Sequence, residues 1–147
     1  MQFLEEYQEI VSKAIDKYTF KDKPEELYAP MNYIISHGGK RLRPIMVLMA
    51  NDMFGGDLQK AIKPALAIEF FHNFTLIHDD IMDEAPLRRN KPTIHTLHGI
   101  NAGILSGDGL LLKAYKFFDD LEPGLFKACI RVFTHTGLLL CEGQQYD

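Results

Sequence analysis

Two cysteines in 147 residues, Cys129 and Cys141, form neither a CxxC pair nor a dense framework. That excludes a disulfide-stapled secreted scaffold and suits a reducing cytosolic setting with both thiols buried. Positive charge is not in surplus either. Sixteen Lys and Arg against 20 Asp and Glu give a net charge of −4, which excludes the basic face of a nucleic-acid binder and leaves anion binding to local clusters. The start, Met1-Gln2-Phe3-Leu4-Glu5-Glu6, lacks the basic flank and apolar run of a signal peptide. No stretch approaches the ~18 uncharged apolar residues of a membrane span, so none is expected. Strand-like alternation, internal repeats and low-complexity segments are also missing, which leaves an all-α architecture: a single all-helical segment over residues 1–147. With 46% hydrophobic residues, a chain of this size has enough apolar side chains for a proper core.

Phe3, Leu4, Tyr7, Ile10, Val11, Ala14, Ile15 and Tyr18 recur at three- and four-residue spacing and place one apolar stripe on a first helix. A second helix opens at Pro24, carries Leu27, Tyr28, Met31, Ile34 and Ile35, and stops at Gly38-Gly39. A third runs from about Arg43 to Met53 and is apolar on most sides, which predicts burial. Asp57 to Met82 is helical by pattern, but Pro64 predicts a short segment followed by a main helix from near Lys63. Pro86 then ends the helix, and Thr93 caps a short one that Gly99 terminates. Longer helices follow over about Asn101 to Phe118 and from Glu122-Pro123 onward. Gly103, Gly107 and Gly109 each cost up to ~1 kcal/mol relative to alanine inside a helix, so another helix is expected to approach closely there. The last helix shows no stop signal and finishes on Asp147, which opposes the macrodipole; the pattern reads as a chain cut short.

The chemistry lies in two clusters. Asp79 and Asp83 sit four apart, so on a helix their carboxylates point the same way from successive turns, with Asp80 beside them. Uncompensated, they repel. A hard divalent cation resolves the repulsion, and Mg²⁺ is usually held by one or two carboxylates plus substrate phosphates and waters rather than by a full protein cage. A bare DDxxD spacing also suits a solvated helix end. Here it follows Phe70, Phe71, Phe74, Leu76 and Ile77 on an apolar helix, where clustered carboxylates call for a partner charge. Asp119-Asp120 has no third acid at the right spacing and is expected on solvated surface. Arg88 and Arg89, five and six residues past Asp83, supply planar forks matched to phosphate oxygens.

The second cluster is Gly38-Gly39-Lys40-Arg41-Leu42-Arg43-Pro44. Its glycines let backbone approach an anion, the helix start offers free N–H groups, and Lys40 and Arg43 lie three apart on one side. A glycine stop followed by exposed basic residues is the alternative reading. His72, seven residues before Asp79, falls on nearly the same helix face and can donate to a second phosphate. His78, His95 and His98 have no such alignment. No HExxH pattern, Cys/His set or Ser-His-Asp order is present.

Taken in order with Pro92-Thr93, Gly107-Asp108 and Gly143-Gln144 with Asp147, these motifs resemble the trans-isoprenyl diphosphate synthases of the polyprenyl synthetase family, from about residue 28 to the end. The resemblance implies the isoprenoid synthase fold, of which this chain would be the N-terminal portion of the helical bundle. It implies a cytoplasmic, usually homodimeric, Mg²⁺-dependent prenyltransferase that joins an allylic diphosphate to isopentenyl diphosphate by ionisation, condensation and elimination. By position, Asp79 and Asp83 would hold the metal on the allylic diphosphate with Asp80 supporting, and Arg88 would clamp that diphosphate. Lys40, Arg43, His72 and Arg89 would grip isopentenyl diphosphate. Phe74, five residues before the first aspartate, and Thr75 after it fall where the family sets product length, and a bulky ring there favours a farnesyl- or geranylgeranyl-length product. Gln144 and Asp147 resemble a later helix facing the same cavity.

The family's second aspartate-rich motif and its lysine fall beyond residue 147, so these residues by themselves are expected not to catalyse condensation. Two competing readings are a non-catalytic helical subunit or pseudoenzyme that binds diphosphate or pairs with a catalytic partner, and a terpene cyclase. The intact Asp79, Asp83, Arg88 and Lys40 weigh against the first. The Gly38–Pro44 cluster, which serves a second diphosphate, weighs against the second.

Overall fold

The computed structural model describes residues 2–146, with side chains from Leu4 onward. In chain order these form α1 (Gln2–Lys17), α2 (Glu25–Ser36), α3 (Leu42–Met53), α4 (Leu58–Met82), the two-residue strands β1 (Leu87–Arg88) and β2 (Lys91–Pro92), α5 (Ile94–His98), α6 (Ile100–Lys116) and α7 (Pro123–Tyr146). Helix α4 is the centre of the bundle. It packs against α3 on one side and α6 on another, with α1 resting on α3 and α4, and α2 and α5 on α6. Its buried residues, among them Ala61, Ala65, Leu66, Phe70, Asn73, Ile77 and Asp80, therefore surround the helix instead of lining one stripe. Phe70, fully buried, stacks edge-on against Phe117 with ring centroids 4.9 Å apart.

The small residues of α6 allow this packing. A Cβ on Gly103 would stand 2.8 Å from Cδ1 of Ile81 on α4, and one on Gly107 would collide with the His78 ring. Gly109 faces Met31 of α2 instead, 3.1 Å from its sulfur. Each glycine thus opens space for a specific neighbour, which offsets its unfavourable helix propensity.

Several expectations need correction. α4 is continuous from Leu58 to Met82 with Pro64 inside it. Asp57 caps it, accepting the Gln59 N–H at 2.9 Å, and buried Ala61 and Ala65 hold the helix on both sides of the proline. The carbonyl of exposed Lys60, which loses its partner to Pro64, sits where water can reach it. α3 buries only Pro44, Ile45 and Leu48, while Met46 and Met53 are 67% and 77% exposed, since no described element covers its outer face. The thiols are not both buried: Cys141 is exposed and Cys129 is half-buried. Residues 87–92 form a two-stranded hairpin, too short to show the alternation by which a strand is read from sequence. By length and composition alone α7 is apolar enough to cross a membrane, with a mean hydropathy of 1.2, although it contains no run of ~18 uncharged apolar residues, the pattern of a membrane span. Asp119 and Asp120 are exposed as expected, with Asp120 paired to Lys63. The side chain of Phe3, and all of Asp147, lie outside the described residues.

Candidate active site

The acidic motif occupies the last turn of α4 and its cap. Asp79 is half-buried, Asp83 is the exposed C-cap residue, and its N–H donates to the Asp79 carbonyl at 2.8 Å. Asp80 turns inward, 3% exposed, and accepts Nε–H of Arg88 at 2.8 Å. Burial pushes the Asp79 carboxyl above its usual range; the Arg88 charge opposes this and the Asp83 charge adds to it. Burial also raises Asp80, and its bond to Arg88 only partly reverses that. Among the described residues no group of three or more His, Cys, Asp or Glu is gathered to hold a metal ion. Two hard oxygen donors one turn apart, one of them on the half-buried Asp79, fit Mg²⁺ that takes its remaining ligands from phosphate and water.

The hairpin separates the two arginines. Arg89 and Asn90 both have positive φ, 51° and 62°, as the two central residues of a type I′ turn require. For arginine this conformation costs on the order of 1–3 kcal/mol. The result is that Arg88 points to Asp80 while Arg89 reaches the other cluster, donating from Nη1 to the Gly38 carbonyl. A side chain on Gly39, whose φ is 136°, would press on the Arg89 guanidinium, 3.2 Å from Cζ.

Arg41 fixes the basic loop from below. It is the left-handed N-cap residue of α3, and its guanidinium donates to Glu69 and to the Ile35 carbonyl at the end of α2. Glu69 is 4% exposed and is held in turn by Asn73, whose Nδ2 donates to it at 3.3 Å. This anchor leaves exposed Lys40 with no ion-pair partner among the described residues and sets Arg43 beside His72, Nη1 to Nε2 3.1 Å. Because guanidinium only donates, Nε2 must accept, and Nδ1 of His72 carries the proton. Burial, with the Arg43 charge second, lowers the His72 pKa. A lowered folded pKa means that the stability His72 contributes is complete above its unfolded value of about 6.5 and is lost as pH falls through the folded value. We expect His72→Gln, whose amide can both accept and donate, to keep pyrophosphate binding and to remove this acid-side loss of stability. His72→Leu should cost about tenfold in binding. Pyrophosphate titrations, and denaturation midpoints at acid and neutral pH, check both.

Below the acidic motif runs an open groove of about 950 Å³ between α4 and α7. Arg43, His72, Asp79 and Gln144 bring polar groups to its lining, and Phe74, Phe71, Ile68, Pro64, Phe118 and Cys129 bring apolar ones. Phe74 and Thr75 both line it. The Thr75 hydroxyl donates back to the His72 carbonyl at 2.8 Å, so it presents little polarity to the lumen. His78, to which helix spacing assigns no role, also lines the groove: its ring lies edge-on to Phe74 at 4.7 Å and its Nε2 is 3.3 Å from the Ile104 carbonyl. No sequence signal could have found it, since it depends on the space at Gly107. The Arg41–Glu69 pair did leave a signal, a lone carboxylate between Ile68 and Phe70 that a buried helix face must neutralise.

Residues 24–147 match the family model for polyprenyl synthetases. The chain is 41% identical over 139 residues to the geranylgeranyl diphosphate synthase of Methanosarcina mazei, a match covering 93% of this chain and 43% of that protein. It is 38% identical to the geranylgeranyl pyrophosphate synthase of Geoglobus acetivorans, covering 99% of this chain and 46% of that one. The solved structure of the latter superposes with a TM-score of 0.93 over 98% of this chain and 48% of that chain. A crystal structure of a geranylgeranyl pyrophosphate synthase, 44% identical, reaches 0.95 over 98% of this chain and 44% of that chain. The chain thus spans about half the length of the relatives it matches. Its helices adopt the isoprenoid synthase fold, and the chain belongs to the polyprenyl synthetase family.

Proposed function

We propose that these residues form the substrate-binding half of a short-chain prenyltransferase that condenses an allylic diphosphate with isopentenyl diphosphate. The observation that carries this reading is that the acidic motif and the basic loop meet at one groove, lined by Asp79 and Arg43, with Arg88 bonded to the acidic motif and Arg89 to the basic loop. Asp79 and Asp83 would hold Mg²⁺, which when bound with the diphosphate supplies Lewis-acid neutralisation of the departing charge. Asp80 holds Arg88 by Nε alone, which leaves its terminal N–H groups for the allylic diphosphate. Lys40, Arg43, Arg89 and the Nδ1–H of His72 receive isopentenyl diphosphate and align its double bond with the allylic carbon, so that positioning supplies much of the rate. Phe74 lines the groove five residues before Asp79, where a bulky ring favours a farnesyl- or geranylgeranyl-length product.

The exposed Ile104, Leu105 and Leu112 on α6 support a homodimer, and the two unpaired cysteines support a cytoplasmic setting. With one aspartate-rich motif among the 147 residues, the purified chain binds substrates and does not condense them. Equilibrium binding of each diphosphate with and without EDTA tests this reading. The expected result is metal-dependent binding of the allylic diphosphate and metal-independent binding of isopentenyl diphosphate at a second site. One shared site, or no binding of either, overturns it.

A further inference from the structure

The groove does not end at Phe74. Counting helical rise from Asp79, Phe74 lies ~8 Å down α4, Phe71 ~12 Å and Pro64 ~22 Å, and all three line the lumen. Whether a prenyl tail that passes Phe74 can go deeper depends on the Phe71 ring. That ring stands between α4 and α7, 5.6 Å from Phe74 and 5.1 Å from Phe133 by centroid. On α7 it rests against Gly137, where a Cβ would lie 3.3 Å from Cζ and 3.4 Å from Cε2 of Phe71. Gly137 has no left-handed φ to explain it, and inside a helix glycine costs about 1 kcal/mol relative to alanine. What it provides is room for the ring.

We propose that Gly137 is a product-length determinant: by carrying no side chain it lets Phe71 lie back against α7 and keeps the groove open below Phe74. A larger residue at 137 drives the Phe71 ring into the lumen and closes the lower section. The inference rests on the prenyltransferase reading and places part of its length control on α7 as well as α4.

The chain carries its own depth gauge. Cys141 and Cys129 both line the groove on α7, twelve residues and thus ~18 Å apart along the helix. Thiol alkylation of the 147-residue chain, read at each cysteine by mass spectrometry, is measured with Mg²⁺ and allylic diphosphates of one to four isoprene units. All four ligands should protect Cys141. Only the longer tails should protect Cys129, by about tenfold when ligand is about ten times its Kd. In Gly137→Leu, long tails no longer protect Cys129 while Cys141 stays protected, and adding Phe71→Ala restores protection. Gly137→Ala, which displaces the ring by only a few tenths of an ångström, gives a smaller loss of the same sign and covers the case that the leucine variant does not fold. Equal protection of Cys129 in wild type and both Gly137 variants overturns the proposal, as does a wild-type chain in which long tails protect Cys141 alone. Failure of every ligand to protect either thiol instead overturns the prenyltransferase reading beneath it.

Discussion

Asp79→Asn abolishes metal-dependent diphosphate binding and at the same time raises the thermal midpoint of the chain at neutral pH. Loss of even a group behind a metal ligand typically costs 10–100-fold in metal affinity, so removing a ligand should cost about a hundredfold or more. The stability gain follows from the same geometry. Burial raises the Asp79 pKa in the folded state, with Asp83 adding to it. A raised folded pKa gives a contribution to stability that is complete below the unfolded value of about 3.9 and is lost as pH rises through the folded value. At neutral pH the ionised carboxylate therefore burdens the fold, and the neutral, nearly isosteric amide relieves it. The advantage of Asp79→Asn should shrink as pH drops toward 4. Asp83 is exposed, so Asp83→Asn should lose binding with little change in midpoint. Thermal melts across this pH range beside diphosphate titrations separate the two effects. A variant that loses binding without gaining stability contradicts the claim that Asp79 is held against its preference for the sake of a ligand.

Glu69→Ala should destabilise the chain by about 3–5 kcal/mol, the usual consequence of leaving one member of a buried ion pair alone. Arg41 and Glu69 have side chains only 12% and 6% exposed, so little water would replace the lost carboxylate. The guanidinium would keep its bond to the Ile35 carbonyl and still carry an uncompensated charge. Replacing both partners with apolar residues, Arg41→Met with Glu69→Leu, should recover most of the loss, because well-packed apolar substitutes for buried pairs are often neutral. Recovery of function should be poorer. Arg41 anchors the loop that sets out Lys40 and Arg43, so the double variant should fold yet bind isopentenyl diphosphate more weakly. Urea denaturation and binding of that ligand give the two readouts.

Much of this was legible in the sequence because it depends on local spacing. Thr93 and Gly99 at the two ends of α5, though the Thr93 hydroxyl donates to the Ala85 carbonyl and makes no capping bond, the seven-residue interval between His72 and Asp79, and the glycines of α6 are short-range patterns with direct structural meaning. What was missed depends on tertiary surroundings. Pro64 would break an isolated helix, but flanking alanines packed against the bundle carry α4 through it. The apolar outer face of α3 resembles a buried one, since nothing in its periodicity says whether a neighbour is there to cover it. The hairpin at Arg89-Asn90 lacks the usual glycine, so its turn type could not be read from composition. His78 gains its place only because Gly107 lies opposite on another helix.

The central claim is that Asp79 and Asp83 form a site completed by metal and diphosphate together. Electron paramagnetic resonance with Mn²⁺ in place of Mg²⁺ addresses it directly. The chain alone should leave the spectrum of free Mn²⁺ largely unchanged. Inorganic diphosphate should produce a protein-bound signal with phosphorus couplings that Asp79→Asn and Asp83→Asn each remove. Mn²⁺ bound equally well without diphosphate, or a ternary signal indifferent to both substitutions, would contradict it.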